Sequence, residues 1–141
     1  MGMELNNAMS ISAAGMKAQS MRMRVISENI ANAETTASTA GGDPYRRKTI
    51  SFKSTLDREN GIQKVDIDKI DRDNKEDFRQ KYDPSNPAAD DKGYVKLPNV
   101  NSLIETMDMR EASRAYEANL SEIELSRTMM SKTIDMLRST R

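Results

Sequence analysis

Apolar residues near the start of the chain recur at heptad spacing: Met9, Met16, Met23 and Ile30, with Leu5, Ile26 and Ala33 beside them. A second row runs Ile11, Ala14, Ala18, Met21 and Val25. That period predicts one helix from residue 4 to about 33. A helix on the surface of a globule needs a single apolar face, so two rows predict more than one neighbour. The far end repeats the arrangement. Met109, Tyr116, Ile123, Met130 and Leu137 are again seven apart, with Leu120 and Ile134 alongside, and neither Gly nor Pro occurs after residue 98. Ser102 followed by Glu105 has the spacing of a capping box, which predicts a helix starting at 102 and running to the end. At 1.5 Å per residue such a helix is roughly 57 Å long, more than a small globule needs and suited to a coiled-coil strut.

Between the helices the period changes. Residues 34–44 are small, hydroxylated and closed by Gly41-Gly42 and Pro44, the composition of a linker. Residues 45–101 read as a small module of short strands. Thr49–Phe52, Lys64–Asp68 and Tyr94–Leu97 alternate apolar and polar, and Asn60-Gly61 is a hairpin turn between the first two. The charged stretch 71–81 reads as an exposed loop or one polar helical turn. Asp83-Pro84-Ser85-Asn86-Pro87 enforces a rigid turn, because each proline restricts the residue before it. The expected fold is therefore mainly α. Residues 1–33 and 102–141 form a coiled-coil-like hairpin of long helices around a small β-containing module.

Composition sharpens this picture. All eleven methionines lie in the two helical ends, while five of the six aromatics lie in the middle. Methionine is unbranched and polarizable, and suits surfaces that fit several unlike neighbours. The chain is 36% hydrophobic and 31% charged over 141 residues, which is lean for a self-sufficient core. Twenty-two basic residues balance 22 acidic ones, so no overall field draws nucleic acid. There is no cysteine and no histidine, which removes thiol chemistry, disulfides and the commonest general base and metal ligand.

The remaining candidate chemistry is weak. The acidic run Asp66 to Asp73 fails as a calcium loop, since Lys75 and Glu76, or Ile70, stand where oxygen ligands and glycine are required. The Arg46-Arg47-Lys48 trio beside Tyr45 reads as charge on a strand edge. No nucleophile motif or phosphate loop occurs. The chain is expected to be no enzyme and to use no cofactor, metal, nucleic acid or small-molecule substrate. No apolar run is long enough to insert in a membrane, and the first seven residues lack the basic and apolar regions of a cleavable signal.

Several segments carry a resemblance. Ser27-Glu28-Asn29-Ile30-Ala31-Asn32-Ala33, followed by Thr35-Thr36, resembles the segment shared by bacterial flagellar axial proteins of the rod and hook. Pro44 to Lys48, Tyr82 to Pro87, Gly93-Tyr94-Val95 leading to Pro98-Asn99-Val100-Asn101, and Arg114 to Asn119 resemble the subunits of the proximal rod. Where those proteins place an acidic residue after the second proline of the turn, this chain has Ala88-Ala89 ahead of Asp90-Asp91.

The resemblance implies a structural subunit of the periplasmic rod of the flagellar basal body, part of its torque-transmitting shaft and export channel. It implies export by the flagellar type III route without a cleaved signal. The implied partners are other copies of the chain and other rod proteins, with the export apparatus and the MS-ring nearby. The candidate subunit-interface residues are Met9, Met16, Met23, Ile26, Asn29, Ile30 and Asn32 on the first helix. On the last helix they are Met109, Tyr116, Asn119, Leu120, Ile123, Met130, Ile134 and Leu137. Asn29, Asn32, Asn99 and Asn101 are expected to cap helix ends. One alternative is a secreted binding protein or effector using the same route, which would be monomeric and dispensable for motility. Another is a peptidoglycan-active enzyme, which would need a carboxylate in a cleft.

Overall fold

The computed structural model describes residues 1–140. Two helices account for both ends: α1, Gly2–Ala31, and α2, Ser102–Ser139. Between them lie β1, Lys48–Asp57, β2, Ile62–Arg72, β3, Arg79–Tyr82, and β4, Tyr94–Leu97. The strands form two separate two-stranded sheets, β1 with β2 and β3 with β4. This is the mainly α architecture with a small β-containing middle that the periodicities predict.

Each boundary has a local cause. At the end of α1, the backbone amide and Nδ2 of Asn32 both donate to the carbonyl of Glu28, at 3.2 and 2.8 Å, closing the last turn. At the start of α2 the cap is Asn101, not Ser102. Asn101 Oδ1 accepts from the amides of Leu103 and Ile104 at 3.1 and 3.4 Å. The expected capping box is therefore not formed: Ser102 is already helical, and Glu105 turns inward instead of reaching back. The hairpin turn falls where Asn60-Gly61 places it. Gly61 has φ 65, and its amide donates to the Asp57 carbonyl at 2.8 Å. Asp57 then organises the tip, accepting from Lys64 Nζ at 2.6 Å and Asn60 Nδ2 at 3.1 Å. Those bonds, Lys64 first, pull its carboxyl down to about 2.

The charged stretch 71–81 departs from expectation, since its end is strand β3, antiparallel to β4 with Arg79 opposite Leu97 and Tyr82 opposite Tyr94. Four residues of Arg-Gln-Lys-Tyr carry no hydrophobic alternation, so only the partner strand reveals them. Tyr82 and Tyr94 meet edge to face at 5.3 Å. Gly93, with φ 82, has no room for a side chain there, because a Cβ would lie 2.9 Å from the Tyr82 ring.

Contacts group the chain into two compact units. The first holds Met1–Arg22, Ser51–Asp68 and α2 from Glu111 onward; the second holds Met23–Ile50 and Lys69–Arg110. Their interiors differ in kind. The second unit buries Val25, Ile26, Ala33, Ala88, Val95, Leu97 and Val100. In the first, the buried apolar residues are Ala18 and Ala112, beside the hydroxyls of Ser12 and Ser126. Alanine buries little area, and stabilisation scales at about 25 cal/mol per Å² of apolar surface. The first unit is thus thinly held by its own burial.

Candidate functional site: the helix pair and its polar clasp

Within the first unit α1 and α2 run antiparallel. Gly15 lies against Asn119, whose amide nitrogen is 2.7 Å from where a Gly15 Cβ would stand. Arg22 reaches Glu111 at 3.4 Å. Both pairs place residues whose numbers total 133 or 134 opposite one another. The face of α2 at this seam is therefore Ala112, Asn119, Ser126 and Thr133, all buried or half-buried and seven apart. The matching face of α1 is Ser12, Gly15, Gln19 and Arg22. The seam is small and polar, lying between the apolar rows instead of along one of them.

Those rows take other places. Part of the second row of α1 faces the chain's own hairpin: Ala14 and Ala18, with Lys17, line a cavity of about 200 Å³ together with Thr55, Asp57 and Lys64–Ile67, while Ile11 is exposed. Of the candidate interface residues, Ile26 and Asn29 are buried. Met9, Met16, Met23, Asn32, Met109, Tyr116, Asn119, Ile123 and Met130 are half-buried. Ile30, Leu120, Ile134 and Leu137 are exposed. Outside that set, Leu103, Ile104, Met107, Leu125, Met129 and Met136 are also exposed on α2. Leu125 and Met129 lie one turn apart, and Met136 lies seven residues beyond Met129, on the same side of the helix.

The second unit is closed by a polar clasp built on Asn29, which is 1% exposed. Its Nδ2 donates to the Lys48 carbonyl at 2.9 Å and to Glu105 Oε2 at 3.3 Å. Its Oδ1 accepts from the Tyr45 hydroxyl at 2.7 Å and the Lys48 amide at 2.9 Å. One side chain thereby ties α1, the entry to β1 and the start of α2. Glu105, also 1% exposed, accepts from Arg47 Nε through its other oxygen. Burial works against the charge on Arg47. The hydrogen bond and charge of Glu105, with Asp73 and Asp108 behind them, nevertheless raise its pKa above the usual arginine value. Asn99 is the second hub, with Oδ1 accepting from the Arg47 amide at 2.8 Å and Nδ2 donating to the Asp73 carbonyl at 3.1 Å.

Burial pushes the Tyr45 phenol up, and the charge of Glu28 adds to it. Lys48, at 2.6 Å, holds Glu28 below the usual carboxylate range. Arg46 lies 4.2 Å over the Phe78 ring, and Arg79 spans from the Ala33 carbonyl to that of Pro98. The basic trio is thus spent inside the unit.

Asn29 and Asn99 consequently do not cap helices: Asn29 lies within α1 and bonds across to β1 and α2, and Asn99 holds loop backbone. Asn101 caps α2, and Asn32 adds a second bond to the Glu28 carbonyl at the end of α1. Glu105 is the residue that sequence reasoning misplaced. Its only signal was a carboxylate at a turn spacing that the cap explains equally well.

Such an arrangement ties separate segments of the chain to one another through hydrogen bonds and an ion pair. Among the described residues no group of His, Cys, Asp and Glu could hold a metal ion, and no helix is long and apolar enough to cross a membrane.

Comparison with known proteins defines the class first. Residues 91–136 match the family described as the flagellar basal body rod FlgEFG protein C-terminal. Over nearly its whole length the chain is similar to flagellar basal-body rod proteins FlgC. It is 51% identical to that of Agrobacterium fabrum over 96% of both chains. It is 40% identical to that of Borreliella burgdorferi over 96% of this chain and 99% of the relative. It is 34% identical to an Escherichia coli relative over 95% and 98%. The chain belongs to the FlgC family of flagellar basal-body rod proteins, structural components of the rod.

Proposed function

We propose that the chain polymerises through its terminal helices, with copies of itself and with other rod proteins, to form the proximal part of the rod. Residues 1–33 and 102–141 supply the inner wall of the shaft and export channel. Residues 34–44 link to a middle module, 45–101, that faces outward. The export apparatus and the MS-ring lie nearby, export follows the flagellar type III route, and the chain performs no catalysis.

One observation carries this reading: the apolar surface of α2 lies on the outside of a unit that has almost no core. Leu125, Met129, Ile134, Met136 and Leu137 are 54, 47, 50, 63 and 68% exposed, while the buried apolar residues of the same unit are alanines. Neighbouring subunits would bury that surface, and a head-to-tail contact that does not close on itself builds a filament. The Met9, Met16 and Met23 row offers an adaptable face toward unlike neighbours.

The test is complementation of a strain lacking the gene with Leu125→Asp/Met129→Asp. Swimming and recovery of the chain in purified basal bodies are both expected to be lost. Normal motility in that strain, or motility without the gene at all, would end the reading and favour a secreted binding protein.

A further inference from the structure

We propose that Gly15 and Asn119 form a steric key that fixes the alignment of α1 against α2 in the first unit. The need arises from the periodicity. The face of α2 at the seam, Ala112, Asn119, Ser126 and Thr133, repeats at a seven-residue interval. Sliding one helix past the other by a heptad exchanges one small seam residue for another, so apart from Asn119 this face discriminates poorly between alignments. In coiled coils that discrimination is made by a residue that fits only one site.

Asn119 has that property. Its side chain occupies the space that a Cβ at Gly15 would take, within 2.7 to 3.0 Å of three of its atoms. Its orientation is held by its own helix, Nδ2 donating to the Ala115 carbonyl at 3.0 Å. A slip of seven residues brings Asn119 against Ala8 or Arg22, both of which carry a Cβ. Gly15 is the only glycine of α1 inside the helix, since Gly2 is its first residue. Glycine there costs helix stability that alanine would spare. The seam tolerates a second cost, because Gln19 Oε1 is buried with no hydrogen-bond partner among the described residues. A seam selected only for strength would carry neither.

The chain has no cysteine, so a reporter is clean. The same alignment sets Ala8 opposite Ser126, and Ala8→Cys/Ser126→Cys is expected to oxidise nearly completely in the purified chain. Gly15→Ala is expected to lower that yield at least fivefold and to lower the thermal midpoint. Adding Asn119→Ala should restore both. Asn119→Gln, which lengthens the key from the other side, should lower the yield as Gly15→Ala does.

Helix propensity alone gives the opposite sign: a raised midpoint and unchanged crosslinking in Gly15→Ala overturn the proposal, as does failure of Asn119→Ala to rescue. In cells, rod incorporation should fall and return in the same pattern, an arm that rests on the proposed function. Crosslinking that follows the pattern while motility does not would leave the key standing and count against the assembly reading.

Discussion

At the scale of single residues, the strongest commitments are the buried polar ones. Glu105 and Asn29 are each 1% exposed, and each holds partners on other segments of the chain by hydrogen bonds. Breaking one side of a buried ion pair is costly because the other charge stays behind. Glu105→Ala is expected to lower the unfolding free energy by about 2 kcal/mol, read from urea melts, by leaving Arg47 with only the longer contact to Asp73 at 3.9 Å. Glu105→Gln, which keeps an acceptor oxygen, should lose less.

Asp57 gives a pH test. Its carboxyl is held at about 2, below its ordinary 3.8, by Lys64 first and Asn60 next. A depressed pKa means that its contribution is complete above the unfolded value and is lost as pH falls from about 3.8 through about 2. A carboxyl NMR titration should show Asp57 with a midpoint near 2, moving toward the ordinary value in Lys64→Met. An unshifted midpoint in the parent chain would dismiss the contact.

At the scale of elements, the helices and the β1–β2 hairpin follow from local rules, and the caps test them. Removing an N-cap side chain costs about 1 kcal/mol. Asn101→Ala should show that loss in denaturant melts, whereas Ser102→Ala should stay within about 0.5 kcal/mol of the parent. The reverse result would restore the S-x-x-E reading of the sequence. Strand β3 is the instructive miss. Arg79, Gln80, Lys81 and Tyr82 have no apolar alternation, and they become a strand because β4 offers its edge with Tyr94 and Leu97 in register. A strand is a property of a pair, and half of this pair lies fifteen or so residues further along the chain.

At the scale of the whole molecule, the burial is unequal. The second unit has branched aliphatics and a satisfied polar clasp, and the first has alanines and serines inside with leucine, isoleucine and methionine outside. Because Leu125 and Met129 are exposed, changing them should leave the purified chain's stability within about 0.5 kcal/mol of the parent while abolishing rod incorporation. A large drop in the thermal midpoint of Leu125→Asp/Met129→Asp would instead mean that these residues belong to the chain's own core.

Read on its own, the sequence determined the two long helices, the position of the hairpin turn, the thinness of the core and the family resemblance. Each of these rests on spacing or composition along a short stretch, where the physics is local. Tertiary structure alone decided which face of each helix meets the other, that Asn29 bonds directly to Glu105 while holding Lys48 and Tyr45, and that Ala14 and Ala18 of the second apolar row of α1 face β1 and β2. Small and polar residues such as Gly15, Ser126 and Asn119 leave no hydrophobic period to read, and a hydrogen bond names its partner only once folding has brought distant parts of the chain together.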